Sequence, residues 1–77
     1  MTPTAARATL LLQADPGRAG EVASFVAGLP AVTEAAVTSG PYDVIATIDL
    51  TGEGLDRVVR QARRAPGLCD LRVCRAG

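Results

Sequence analysis

The chain repeats its own residue pattern after 36 positions, and this repeat constrains the fold more than any other feature of the sequence. Each half carries a short apolar run, a stretch with helical periodicity, a stop that contains proline, and a second apolar run. This succession predicts the element order β-α-β-β-α-β. The residues that align at this offset are Leu12 with Ile48, Val22 with Val58, Pro30 with Pro66, Val32 with Leu68 and Val37 with Val73.

Two stretches place apolar residues at i, i+3, i+4 and i+7, which is the spacing of one helical face. The first helix is predicted to begin with Asp15 as its N-cap and Pro16 at its first helical position, and Gly28 and Pro30 end it. Thr51 is the predicted cap of the second helix. The apolar faces are Ala19, Val22, Ala23 and Val26 in the first helix and Leu55, Val58, Val59 and Ala62 in the second. The predicted strands cover residues 7–14, 32–38, 42–50 and 68–75.

Two β-α-β units joined by a hairpin predict a ferredoxin-like plait of the α+β class. In this fold right-handed crossovers place both helices on one face of a four-stranded antiparallel sheet. The first and third strands are central, and they are the apolar ones in this sequence. The other two strands carry Glu34, Asp70 and Arg72, which suits sheet edges. A chain of 77 residues forms one domain, residues 1–77, with a small core.

The two faces of the predicted sheet differ in polarity. Leu10, Leu12, Val44, Ala46 and Ile48 alternate onto the side that we assign to the helices. The opposite face would show Thr9, Leu11, Gln13, Ile45 and Thr47, which is too apolar for water and too polar for a deep core. We therefore expect a homodimer packed sheet to sheet. The alternative is a monomer with scattered exposed apolar residues.

The composition argues against several classes of function. Acidic and basic residues balance at 8 each, there is no histidine, and Phe25 and Tyr42 are the only aromatic residues. Hence no net charge attracts nucleic acid or a membrane, no imidazole serves as acid, base or metal ligand, and no aromatic platform stacks bases. We expect no catalytic residues, no metal and no cofactor. The absence of a signal peptide or spanning segment and the use of only two cysteines predict a cytoplasmic protein.

Two smaller features have a functional and a structural interpretation. Cys69 and Cys74 could indicate redox or metal chemistry, but we expect small buried or interfacial residues. Arg57, Arg60 and Arg64 could form an anion or nucleic-acid patch. The structural interpretation of this stripe is a solvated helix face, in which acidic residues four positions earlier, Glu53 and Asp56, pair with Arg57 and Arg60.

The connection between the second and third strands is the most informative segment. It reads Thr38-Ser39-Gly40-Pro41-Tyr42-Asp43 and leads into Val44-Ile45. Gly40 permits a turn that other residues resist, Tyr42 offers a ring and a hydroxyl, and Asp43 offers a charged acceptor. These residues suit a small-molecule site, but an ordinary hairpin connection would use the same types.

This segment resembles the signature hairpin of the Lrp/AsnC family of regulators, and specifically their C-terminal effector domain, the RAM domain. The sequences Leu29-Pro30-Ala31-Val32 and Ala65-Pro66-Gly67-Leu68 add to the resemblance, which covers residues 7–75. It implies a ferredoxin-like domain that dimerises through its sheets and assembles further, as a tetramer to an octamer. It also implies a small effector, usually an amino acid, bound between dimers near the hairpin. Carried over, the ligand-binding candidates are Gly40, Tyr42 and Asp43, followed by Thr38 and Ser39.

The chain has no room for the family's helix-turn-helix, so the resemblance implies a stand-alone effector domain without specific DNA binding, which could join full-length Lrp/AsnC regulators. One departure concerns the last strand, where the family usually has Thr-x-Thr and this chain has Leu71 and Val73. The leading hypothesis is a sensing and self-associating domain that modulates transcription regulators. The alternative is an oligomerisation module without a ligand. A small plait enzyme is a third possibility, against which the lack of histidine argues.

Overall fold

The computed structural model describes residues 7–50 and 54–75, which contain four strands and two helices. The elements follow the predicted order β-α-β-β-α-β. Their bounds are β1 Arg7–Ala14, α1 Ala19–Ala27, β2 Val32–Val37, β3 Val44–Asp49, α2 Leu55–Ala62 and β4 Leu68–Arg75. Strands β1 and β4 match the prediction to the residue, β2 is one residue shorter at the hairpin, and β3 starts two residues later than predicted and ends one residue earlier.

The strands form one antiparallel sheet in the order β2-β3-β1-β4, so the predicted ferredoxin-like plait is confirmed. The two most apolar strands, β1 and β3, are the central ones. This placement follows from burial, because a central strand is covered by neighbours along both edges and by helices on one side. Neither helix in the described part of the chain is long and apolar enough to cross a membrane.

The core lies between the sheet and the two helices, on what we call the helix side of the sheet. The alternating residues predicted for this side are all buried, and so are Val22 and Val26 of α1 and Val58 and Ala62 of α2. The predicted helix faces are thereby confirmed. The buried core comprises Ala8, Leu10, Leu12, Val22, Val26, Ala31, Val44, Ala46, Ile48, Val58, Ala62, Ala65 and Leu71.

The predicted cap of the first helix is wrong. Residues 15–18 form a turn in which the Arg18 amide donates to the Asp15 carbonyl (2.9 Å), with Pro16 second and Gly17 third at φ 80°. This is the geometry of a type II turn, which favours Pro-Gly at these positions. Helix α1 therefore starts after Arg18, without a side-chain cap. Thr51 lies outside the described residues, and Gly54 occupies the N-cap position of α2.

A side chain at Gly67, in the loop that leads to β4, would collide with the side chain of Arg18 unless one of them shifts. A Cβ atom there would lie 2.8 Å from Nε and 2.9 Å from Cβ of Arg18, and Gly67 has φ 88°. The Gly67 carbonyl accepts a hydrogen bond from the Asp15 amide (2.8 Å), which joins the two loops. Arg18 also donates to Glu21 (2.8 Å), and this hydrogen bond, with the carboxylate charge, raises the pKa of Arg18.

A β-bulge decides where the charge of β2 points. Val32 pairs with Ile48 and Glu34 pairs with the next residue, Thr47, so Thr33 is the extra residue. Simple alternation would put Glu34 on the same side as Val32, facing the core. The bulge moves Glu34 to the opposite side, which we call the outer face of the sheet, and the Thr33 hydroxyl donates to the Thr47 carbonyl (3.2 Å).

Both cysteines lie on the edge strand β4 as free thiols that are exposed in the single chain, so of the two expected environments, buried or interfacial, only the interfacial one stays a prediction. Cys74 pairs with Thr9 and lies on the outer face. Cys69 is the extra residue of a second irregularity, because Asp70 pairs with Gln13 while Leu68 pairs with Ala14. An edge strand has a partner on one side only, which explains this exposure.

Candidate functional site

The hairpin, residues 38–43, closes on itself through two hydrogen bonds from one residue. The Thr38 amide donates to the Asp43 carbonyl (2.7 Å), and the Thr38 hydroxyl donates to the Tyr42 carbonyl (2.7 Å). The hydroxyl of Thr38 therefore satisfies a backbone carbonyl in the turn. Such side-chain hydrogen bonds are a common use of Ser and Thr where a strand ends.

Three hydrogen bonds attach the hairpin to the end of β1. The Asp43 amide donates to the Leu12 carbonyl (2.9 Å), which extends the pairing of the central strands by one residue. The Ala14 amide donates to Oδ2 of Asp43 (2.9 Å). Nε2 of Gln13 donates to the Pro41 carbonyl (2.8 Å). The hairpin is thus anchored to a central strand and does not project freely into solvent.

Asp43 has a structural role that the sequence left open as one of two interpretations. Its carboxylate accepts the Ala14 amide two residues beyond the last pair of β1 with β3, Leu12 with Val44. A backbone N–H without a partner at this position would be costly, so the carboxylate serves as the acceptor beyond the end of β3. Any ligand contact by Asp43 has to coexist with this hydrogen bond.

The tip of the hairpin is exposed and its sides are partly buried. Ser39, Gly40 and Pro41 are exposed, whereas Thr38, Tyr42 and Asp43 are partly covered. Gly40 has φ 144°, a conformation that residues with side chains rarely adopt, and there is open space where a Cβ atom would lie. All five candidate residues therefore lie within one anchored turn. Thr38 and Asp43 direct polar atoms towards the protein backbone.

The outer face carries a row of apolar side chains across the sheet. Leu11 of β1 pairs with Ile45 of β3, and Ile45 pairs with Ala36 of β2. Ile45 is 37% exposed although it lies on a central strand. The apolar row ends at β4, where the charged residue Arg72 lies opposite Leu11. Polar residues lie on both sides of this row, namely Glu34, Thr47, Thr9 and Cys74 on one side and Gln13 and Asp70 on the other.

Leu71 and Val73, which occupy the positions of the family's two threonines, lie on the helix side of the sheet. Leu71 pairs with Leu12 and is 6% exposed, as part of the core. Val73 pairs with Leu10 and is 37% exposed, because it lies at the edge. A hydroxyl at position 71 would point into the core and not onto the outer face.

A separate concave region lies on α2 and the turn that follows it. Arg57, Arg60, Gln61 and Arg64 line a cavity of about 200 Å³. The predicted ion pair between Asp56 and Arg60 is absent from the described residues, and Glu53, the predicted partner of Arg57, lies outside them. Oε1 of Gln61 is buried and accepts no hydrogen bond from the described part of the chain.

Sequence reasoning missed the anchoring role of Gln13 and the buried Oε1 atom of Gln61. The signal for Gln13 was its position as the one amide directly after the apolar run Leu10-Leu11-Leu12. For Gln61 the periodicity of α2 gave no indication, since the residue lies beside the apolar face. No group of three or more Cys, Asp or Glu residues that could hold a metal ion occurs within residues 7–50 and 54–75.

Comparison with known proteins finds related structures but no matching sequence family. No protein-family model and no curated protein matches this chain. TTHA0845 from Thermus thermophilus superposes with a TM-score of 0.84 and 30% sequence identity, over 94% of this chain and 92% of that one. This identity, over nearly the full length of both proteins, makes TTHA0845 a relative.

Two further structures share the fold at lower identity. FFRP-DM1 has a TM-score of 0.78 and 24% identity over 94% of this chain and 99% of that one. The transcriptional regulator NMB0573 from Neisseria meningitidis, crystallised as a complex with L-Met, has a TM-score of 0.73 and 15% identity. That match covers 94% of this chain and 49% of the regulator. At these identities the two matches show a shared fold, and the Lrp/AsnC membership that the hairpin resemblance implies stays a prediction.

Proposed function

We propose that this chain, which belongs to the same protein family as TTHA0845 from Thermus thermophilus, is an effector domain of the Lrp/AsnC type. In this proposal it pairs with a second copy through the outer face of the sheet, and the pairs assemble further. It binds a small molecule, an amino acid, where the hairpins of neighbouring pairs meet, and its assembly modulates transcription regulators. It carries out no catalytic step.

The observation that carries the proposal is the apolar row on the outer face. Leu11 and Ile45 are adjacent on the two central strands, and neither helix covers that side. Polar residues on both sides of the row give the face an apolar centre with a polar rim, which is the usual arrangement of a protein interface. A second copy provides the same row, so that a two-fold axis would bring apolar residues against each other.

The anchored hairpin supports the ligand-binding half of the proposal. A binding segment loses less conformational entropy when it is already ordered, and three hydrogen bonds to β1 order this one. The exposed tip at Ser39 and Gly40 presents backbone groups, and Tyr42, two residues after Gly40, is only partly buried. The shared fold of a regulator crystallised with L-Met is a further reason to test amino acids first.

A thermal-shift screen with the twenty amino acids tests ligand binding. Binding to the folded state adds RT ln(1 + [L]/Kd), about 2.7 kcal/mol at a hundredfold excess over Kd. For a domain of this size that stabilisation corresponds to a rise in Tm of more than about 10 °C. We expect one or a few amino acids to shift Tm, and the shift to shrink in a Tyr42→Ala variant relative to that variant's own ligand-free Tm. No shift with any amino acid at millimolar concentration contradicts the sensing half.

A second candidate function is a purely structural oligomerisation module. The observation that favours it is the engagement of the polar groups at the candidate site, since the carboxylate of Asp43 accepts the Ala14 amide and the hydroxyl of Thr38 donates to a carbonyl within the turn. Native mass spectrometry with and without amino-acid mixtures separates the two functions. An assembly whose mass never changes, with no bound ligand and with full-length regulators as partners, selects the structural module.

A further inference from the structure

We infer that strand β4 pairs edge to edge, in the antiparallel direction, with β4 of a second copy, so that two four-stranded sheets become one sheet. Strand β4 ends the sheet order β2-β3-β1-β4, and no element in the described part of the chain pairs with its free edge. This pairing rests on the proposed function, because it specifies how the sheet-to-sheet pairs assemble further. Its surface is separate from the apolar row and from the hairpin.

The direction of the backbone groups of β1 is known from its contacts with the hairpin. The Leu12 carbonyl and the Ala14 amide both point to the side of β3, since each forms a hydrogen bond with Asp43. Backbone groups alternate in direction along a strand of an antiparallel sheet. The residues between and before these two therefore direct their amides and carbonyls to β4.

The free edge of β4 presents backbone groups that the sheet leaves without a partner. Leu11 and Gln13 point to β4, where the residues opposite them are Arg72 and Asp70. Those two residues consequently point back to β1. The residue between them, Leu71, directs its amide and its carbonyl away from the sheet, as the donor and acceptor of a further strand.

Strand β4 lacks most of the features that keep a sheet edge from pairing. It has eight residues without a proline or a lysine, and its one irregularity lies near its start, at Cys69. The other edge strand, β2, has six residues and is interrupted by the bulge at Thr33. Of the two edges, β4 is the longer and the more regular one.

The charges of β4 complement those of a second copy. Asp70 and Arg72 both lie on the outer face, on either side of Leu71. A two-fold axis perpendicular to the sheet at Leu71 places Asp70 of each copy opposite Arg72 of the other, which gives two ion pairs. The two Leu71 residues then exchange two backbone hydrogen bonds. The charged pairs occupy the neighbouring positions without hydrogen bonds, where the Cα atoms are about 4.5 Å apart and side chains are closest.

Charge selects this register over the neighbouring ones. Moving the axis by one residue in either direction places Asp70 opposite Asp70 or Arg72 opposite Arg72, and like charges directly opposite are destabilising. Within one chain the two side chains form only a long contact of 3.7 Å, and they are 46% and 68% exposed. Both are therefore accessible to a second copy.

Edge pairing is compatible with pairing through the outer face. A two-fold axis perpendicular to the sheet leaves the apolar rows of both copies on the same side, where each can still meet another sheet. One strand pair with exposed ion pairs is a weak contact by itself. A sheet-to-sheet pair carries two β4 edges, so that two weak contacts can act together. Hence a subunit that cannot form sheet-to-sheet pairs stays a monomer.

The test is analytical ultracentrifugation of the full chain over a wide range of protein concentrations. We expect the wild type to pass from dimers to larger assemblies as the concentration rises. Asp70→Arg should weaken this second step by about tenfold or more and leave the dimer intact, because two attractions become two repulsions. The double variant Asp70→Arg/Arg72→Asp exchanges the charges and should restore the larger assemblies.

Val73→Pro and its matched control Val37→Pro test the backbone hydrogen bonds. Both valines are exposed, lie on edge strands and occupy equivalent positions of the 36-residue repeat. Each amide points away from the sheet, since the next residue Thr38 bonds to the hairpin side of β3 and the preceding residue Arg72 points to β1. Proline therefore removes no hydrogen bond within the sheet. Val73→Pro should abolish the larger assemblies, and Val37→Pro should keep them.

Circular dichroism verifies that each variant is folded, and the charge variants decide alone if Val73→Pro is not. A wild type that is monomeric at every concentration contradicts the proposed function and the edge pairing together. The edge pairing alone is overturned if the wild type stops at the dimer, if Asp70→Arg assembles as the wild type does, or if Val37→Pro and not Val73→Pro loses the larger assemblies.

Discussion

The replacement Asp43→Ala tests whether the hairpin is held by the hydrogen bond between its carboxylate and the end of β1. The replacement removes one charged acceptor at 2.9 Å from the Ala14 amide and leaves the backbone pairing of Asp43 with Leu12 and Thr38 intact. A hydrogen bond to a charged group contributes about 1.5–3 kcal/mol. Because Asp43 is only partly buried, water can replace part of this hydrogen bond in the variant. We therefore expect the free energy of unfolding to fall by about 1.5 kcal/mol.

For a domain of 60–100 residues this loss lowers Tm by about 6–12 °C. Thermal unfolding followed by circular dichroism measures it, and hydrogen exchange should show the Ala14 amide losing protection. Asp43→Asn retains an acceptor and should recover more than half of the stability. Asp70→Ala is the control, since its carboxylate lies 3.7 Å from Arg72 in an exposed pair worth little. Equal Tm values for Asp43→Ala and Asp70→Ala would refute the anchoring role.

Three further predictions concern the core and the loops. Val58→Asp buries an unpaired charge in a fully buried position and should unfold a domain of this size, whereas Val37→Asp, at a position 55% exposed, should melt close to the wild type. Gly17→Ala should cost about 1–2 kcal/mol in chemical denaturation, since its φ is 80° and there is open space for a Cβ atom. Gly67 has a similar φ, but a Cβ atom there would collide with Arg18. Gly67→Ala should therefore lower the free energy of unfolding more than Gly17→Ala does. Equal decreases would show that Arg18 moves away at no cost.

Periodicity was sufficient to predict the architecture from the sequence. The alternation of Leu10 and Leu12 with more polar neighbours determines which side of β1 is buried, and a shift of one residue would expose both. The i, i+3, i+4 spacing of α2 placed Val58 against the sheet in the same way. These patterns predict the structure well because exposing any one of these side chains would lose the free energy gained by burying it.

Local features with several equivalent solutions were harder to predict. Asp15-Pro16 suits a helix start and a type II turn equally, and Gly17 at the third position decides for the turn. No residue pattern in the sequence predicts the bulge at Thr33, yet the bulge determines that Glu34 lies on the outer face. For the site, the sequence located the hairpin, but the hydrogen bonds of Asp43 to Ala14 and of Gln13 to Pro41 depend on how close β1 lies to the turn.

The most direct test of the account is the mass of the protein in solution, measured by light scattering for the wild type and two lysine variants. Ile45→Lys places a charge in the apolar row of the outer face, and Val37→Lys places the same charge at an exposed apolar position on the helix side. We expect the wild type and Val37→Lys to be dimers or larger and Ile45→Lys to be a folded monomer. A wild-type monomer, or an Ile45→Lys variant that assembles as the wild type does, would contradict it.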